Sequence, residues 1–192
     1  MRRNHLRASA SICGFSLLLC SLPALWAGAV PRPAPPLTIP LAGGSKIPLP
    51  SLRGKVVLLK FFLTDCQHCQ RTTANAIVPL YNEFRSRGLE VVGVALNTDG
   101  AKLIPEFAER FGVPYPLGIG TRDMLTTFAD LPVVTRVAVP HLFLIDRRGI
   151  IRYEHPGNDQ AFYDNDYANL RAELDSLLKE PAPSHKSAPK NK

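Results

Sequence analysis

The chain has 192 residues, 45% of them hydrophobic and 20% charged, enough to bury one full core and too apolar for a disordered or collagen-like polymer. Its formal charge of +7 sits mostly at the ends, on Arg2, Arg3 and Arg7 and on four lysines from Lys179 onward opposed by Glu180. The body between them is nearly neutral and has no clustered basic face, which argues against nucleic acid as a partner.

Residues 1–29 read as an export signal: three arginines, an apolar run from Ile12 to Leu25, then Ala27, Gly28 and Ala29, after which cleavage is expected. Ile12 to Val30 could instead just cross a bilayer as an uncleaved anchor, although Gly14, Ser16, Ser21 and Pro23 weaken that span. In either case the body is exported. Residues 30–36 form an extended, proline-rich linker, 37–179 the folded domain, and 180–192 a disordered basic tail.

The domain opens with Leu37–Leu41 and Lys46–Leu49 around Gly43-Gly44-Ser45, a short hairpin. Val56–Leu63 is almost wholly apolar and reads as a strand covered on both faces of a parallel or mixed sheet. Apolar residues then recur at helical spacing from Gln67 to Arg87, predicting a helix kinked near Pro79 and stopped by Gly88. A second buried strand, Leu89–Leu96, precedes Asn97-Thr98-Asp99-Gly100 and a helix carrying Leu103, Phe107 and Phe111, with Asp99 as its cap. Between residues 113 and 138 the pattern gives only a short strand at Tyr115–Ile119 and a short helix at Met124–Ala129. Val137–Ile145 and Ile150–His155 read as a hairpin, and Asp159–Leu178 as a closing amphipathic helix.

If the signal is removed, Cys13 and Cys20 leave with it and the body keeps Cys66 and Cys69, in one C-x-x-C at a strand-to-helix junction. A bridge across two residues closes too small a loop to add much stability, so the pair is chemical. Zinc would need two further ligands from His68, His141 or His155. Covalent haem attachment is excluded because Gln70, not histidine, follows Cys69. The first helical N–H groups favour negative charge at Cys66, the attacking thiolate, and Cys69 one turn on is placed to resolve the mixed disulfide. His68 between them either adds positive potential as an imidazolium or is an exposed bystander. Asp65, directly before Cys66, opposes a thiolate by its charge.

The strand, Cys66-Gln67-His68-Cys69, the run Val139-Pro140-His141-Leu142-Phe143-Leu144-Ile145-Asp146 and Gly149 together resemble the thioredoxin superfamily. Leu52-Arg53-Gly54-Lys55-Val56-Val57 and Gly88-Leu89-Glu90-Val91-Val92-Gly93-Val94 are similar to its TlpA/ResA group of exported thiol–disulfide proteins. The resemblance covers roughly residues 37 to 179. It implies an α/β, thioredoxin-like fold with a central mixed sheet flanked by helices, and a cis Val139-Pro140 bond packed on the C-x-x-C, with the Val139 backbone pairing with a bound substrate strand. From the residues alone, Pro140 could equally be trans. It further implies no metal or organic cofactor, and protein thiols or disulfides as partners, an apocytochrome or a membrane electron donor among them.

The chain departs from that family where no tryptophan precedes Cys66 and where Lys60 stands at the place of a buried acid that helps deprotonate the resolving thiol. Lys60 either snorkels out of the sheet or sits near the thiols and favours thiolate. Pro79 also falls later than the family's usual helix proline. Two other classes remain: a peroxiredoxin-like peroxidase, for which Leu63 stands where a threonine is needed, and a copper-binding assembly protein using Cys66, Cys69 and a histidine such as His141.

Overall fold

The computed structural model describes residues 29–182. The expected signal up to Gly28, with Cys13, Cys20 and Trp26, and tail residues 183–192 lie outside the described residues. Among the described residues, no helix is long and apolar enough to cross a membrane.

Strands β1 (Arg32–Pro33), β4 (Val56–Phe62), β5 (Leu89–Ala95), β6 (Leu117–Ile119), β7 (His141–Ile145) and β8 (Ile150–His155) form one mixed sheet in the order β1-β8-β7-β4-β5-β6. The hairpin β2 (Thr38–Pro40) and β3 (Lys46–Pro48) lies apart from it. β4 is central, parallel to β5 and antiparallel to β7, and every one of its residues is buried. That explains why its residues are apolar apart from Lys60, since both of its faces are covered. Alternation sends Val56, Leu58 and Phe62 into one core cluster and Val57, Leu59 and Phe61 into another. Lys60 falls on the first face, opposite Gly93 of β5 and Leu142 of β7.

The helix after β4 runs in three parts: α1 (Gln67–Thr72), a π-helical turn (Thr73–Ile77) and α2 (Val78–Phe84). Pro79 is the cause. It lacks the N–H that would bond the carbonyl one turn back, and its ring would crowd that carbonyl, so the helix widens, with Val78 N–H reaching back to the Thr73 carbonyl. Gly88 then ends it at φ +96°.

Next come α3 (Gly100–Arg110), α4 (Arg122–Phe128), α5 (Gln160–Tyr163) and α6 (Asp166–Lys179). Five details differ from what the sequence predicts. The second hairpin begins at His141 rather than Val137, because proline cannot donate to a ladder. The single closing helix is split where Asn165 leaves helical geometry, at φ −142° and ψ 53°. Asp99 precedes α3 without a side-chain cap bond. Residues 30–36 are more than a linker, since Arg32 and Pro33 pair with β8 and Arg32 meets Glu154 at 2.7 Å. At the other end Glu180, placed at the start of the tail, bonds Arg152 at 2.8 Å, so the packed domain includes it.

Candidate active site around Cys66 and Cys69

Cys66 stands at the N-cap of α1, where a serine or aspartate oxygen commonly sits, and its Sγ accepts the Cys69 N–H at 3.2 Å. A thiolate there gains that hydrogen bond and the positive end of the helix. Cys66 is half-buried and Cys69 fully buried, and the two are unbridged. Burial pushes the Cys69 thiol well above the usual range; its hydrogen bond with Cys66 pushes the same way, while the Leu63 backbone and the Lys60 charge oppose.

The turn before Cys66 is clamped from two sides. Asn97 Oδ1 accepts the Thr64 N–H at 2.9 Å, and Asn97 Nδ2 donates to Asp65 Oδ1 at 3.2 Å. From the helix, Gln70 Nε2 donates to the Thr64 carbonyl at 2.8 Å. Asp65 is thus exposed and held by an amide. Beside this turn opens a polar cleft of about 530 Å³, lined among others by Asp65, Gln67, Asn97 and Arg110.

On the opposite side, the Val139-Pro140 bond is cis, as the resemblance implied, and the Val139 carbonyl lies 3.9 Å from Cys66 Sγ. Two residues that the sequence reading passed over hold this segment. A Cβ on Gly157 would lie 2.5 Å from Val139 C and O, so only glycine allows this approach of the two backbones. Tyr163 Oη donates to the Pro140 carbonyl at 2.7 Å, with the His155 carbonyl at 3.0 Å. Its ring also meets His68 edge-to-face, centroids 4.4 Å apart. Only the Pro156-Gly157 dipeptide after a strand, and a tyrosine within an apolar pair, marked these positions in the sequence.

Burial lowers the pKa of His68, and the charges of Arg71 and Lys60 add to this against Asp166. Burial and these charges thus oppose an imidazolium at this position. The positive charge comes from below instead. Lys60 is 1% exposed; its Nζ donates to the Cys69 carbonyl at 3.1 Å and to Thr73 Oγ1, and lies 4.5 Å from the Phe62 ring centroid. Of the two readings of Lys60, snorkelling is the one the fold excludes. Burial lowers its pKa to about 8, while coupling to Cys69 and then Cys66 raises it. His141, the imidazole of the copper reading, is buried against Phe143 and bonds Glu154 at 2.9 Å. Among the described residues no group of three or more His, Cys, Asp or Glu is arranged to hold a metal ion.

Known proteins resemble this chain over much of its length. The model of the AhpC/TSA family matches residues 30–154. The thiol-disulfide oxidoreductase ResA of Geobacillus kaustophilus is 32% identical over 127 residues, 65% of this chain and 67% of that protein. The thiol:disulfide interchange protein DsbE of Escherichia coli is 35% identical over 106 residues, 55% of this chain and 52% of that one. A thiol:disulfide interchange protein of the thioredoxin family from Chlorobium tepidum superposes with a TM-score of 0.62 at 24% identity, covering 78% of this chain and 98% of that one, and shares the α/β fold.

Proposed function

The chain belongs to the AhpC/TSA family and is a thiol–disulfide oxidoreductase of the ResA-like, thioredoxin-fold kind, and from that premise we propose that it is exported and exchanges disulfides with protein partners, Cys66 attacking and Cys69 resolving. The observation that carries this is the pairing of a half-buried Cys66 Sγ at a helix N-cap, 3.9 Å from the Val139 carbonyl, with a Cys69 that solvent does not reach. The Cys66 thiolate attacks one sulfur of a partner disulfide, forming a mixed disulfide and expelling the other partner sulfur as a thiolate. Cys69 then attacks Cys66 Sγ, closing the Cys66–Cys69 disulfide and releasing the second partner thiol. Run backwards, the same steps oxidise a dithiol. Val139 presents its backbone beside Cys66 to the incoming chain, and no organic or metal cofactor takes part. Export is supported by the order of basic, apolar and small residues in 1–29. An apocytochrome or a membrane electron donor is the partner class this favours, with anchoring through the same N-terminal segment as the variant in which it is retained.

Cys69→Ser should trap partner proteins as mixed disulfides on Cys66, and Cys66→Ser should trap none. Rapid turnover of hydrogen peroxide with a thiol reductant and no trapped protein would overturn this in favour of a peroxidase. Titration against glutathione or dithiothreitol gives the potential that sets the direction of transfer.

A further inference from the structure

Lys60 presents a feature that disulfide exchange as described does not use: a lysine amine enclosed in the sheet directly beneath the resolving cysteine. The amine contacts Cys69 through its carbonyl at 3.1 Å, Thr73 through its hydroxyl, and the Phe62 and Phe107 rings at 4.5 and 5.7 Å. Along the sheet, Lys60 stands opposite Gly93 of β5 and Leu142 of β7. Among the described residues no carboxylate forms an ion pair or hydrogen bond with it. The titratable groups that bear on it are Cys69 and, more weakly, Cys66, while its own charge acts on His68. Cys69 meanwhile is fully buried and must still become a nucleophile.

We propose that the Lys60 amine is the proton acceptor for the Cys69 thiol in the resolving step. The inference rests on the assignment of Cys66 as nucleophile and Cys69 as resolver. In the mixed disulfide, Lys60 in its neutral form takes the Cys69 proton and becomes an ammonium. The Cys69 sulfur forms a bond to Cys66 Sγ, the bond from Cys66 Sγ to the partner sulfur breaks, and the partner leaves as a thiolate with the electron pair. The product holds a Cys66–Cys69 disulfide and no thiolate, so the buried ammonium has lost its counter-charge and returns its proton to solvent. The amine is then ready for the next cycle. The charges of Lys60 and Cys69 act on each other's titration, so proton loss belongs to the pair, with the ion pair of ammonium and thiolate as the reactive form. A buried lysine suits this role because enclosure brings its basicity toward neutral pH, where burial lowers it to about 8.

The test uses reduced protein and 5,5′-dithiobis(2-nitrobenzoic acid) in a stopped-flow instrument. Attack by Cys66 releases the first thionitrobenzoate, and attack by Cys69 on the Cys66 mixed disulfide releases the second in a first-order phase independent of reagent concentration. In the wild type the second phase should rise with pH and level off above about pH 8. In Lys60→Met, and in Lys60→Gln as a second neutral replacement, it should be about tenfold slower at pH 8 and keep rising through pH 9 without levelling. Unchanged rates and an unchanged midpoint in both variants would overturn the role of Lys60 while leaving the cysteine assignment intact. Absence of a second phase in the wild type would overturn that assignment itself.

Discussion

Replacing Lys60 with methionine should stabilise the reduced protein at neutral pH, by an amount that shrinks as pH rises. Lys60 lies on the central strand at 1% exposure, so solvent screening does not dilute the effect. Its pKa falls from 10.5 to about 8 in the fold, which corresponds to about 3 kcal/mol of destabilisation wherever the amine is charged in both states. Below pH 8 folded and unfolded chains both hold the proton and the whole cost applies. Between about pH 8 and 10.5 the unfolded chain holds a proton that the folded chain has released, so stability rises with pH, by about 1 kcal/mol from pH 7 to pH 9. Cys69 works in the opposite sense, because the fold keeps it protonated while the unfolded thiol ionises above about pH 9. The difference between wild type and variant reports the lysine together with its coupling to Cys69. Methionine strands neither hydrogen-bond partner, since Thr73 Oγ1 already donates to the Cys69 carbonyl at 2.6 Å. Urea denaturation in dithiothreitol from pH 6 to pH 9 should therefore find Lys60→Met more stable by about 3 kcal/mol at the acid end, the gap narrowing by about 1 kcal/mol at the alkaline end. A gap that does not change with pH, or a more stable wild type, would refute the reasoning.

Other consequences follow from the elements around the cysteines. Gly157→Ala would place a Cβ 2.5 Å from the Val139 carbonyl group, and neither backbone can yield, so a loss of about 1–3 kcal/mol in thermal denaturation and slower first-phase thionitrobenzoate release are expected; wild-type values for both would show that the segment moves freely. Tyr163→Phe removes the hydroxyl that holds the Pro140 carbonyl at 2.7 Å and should cost about 1–2 kcal/mol in urea, with no loss expected only if water replaces that bond. Burial, the largest influence on His155, works against its charge, but hydrogen bonds to Glu173 and Asp159 at 3.0 and 3.1 Å carry the net shift upward. Its contribution to stability is fully present below the unfolded value of 6.5 and is lost as pH rises through the higher folded value. A ¹H NMR titration should place His155 above His68, whose shift is downward, and the reverse order would contradict the ion-pair geometry.

The sequence reached the parts of this molecule whose signal is local. The apolar run of β4, broken only by Lys60, the C-x-x-C that follows it and the glycine that closes the next helix each act within a few residues, and each lies where that local pattern puts it. The resemblance supplied the cis Val139-Pro140 bond, which the residues alone left open. Contacts between distant segments were out of reach. Gly157 matters because of where β8 delivers it, and Tyr163 because a break at Asn165 sets a short helix against the Pro140 loop. Lys60 could be placed on an apolar face by alternation, yet its two possible directions differ only in what α1 presents above it. The Cys69 carbonyl and Thr73 hydroxyl, held at the start of a π turn that Pro79 induces 19 residues further along the chain, settle that choice. The downward shift of His68 was out of reach too, because its burial and the charge of Lys60 are both products of the fold.

The division of labour between the two cysteines is tested most directly by alkylating the reduced, folded protein at pH 7 with limiting iodoacetamide and mapping the product by mass spectrometry. Cys66 is half-buried at a helix N-cap, whereas Cys69 is 0% exposed with its thiol pushed far up by burial. Carbamidomethylation should therefore fall on Cys66 and leave Cys69 unmodified until the protein is unfolded. Modification of Cys69 first, or of both at equal rates, would contradict the assignment of nucleophile and resolver.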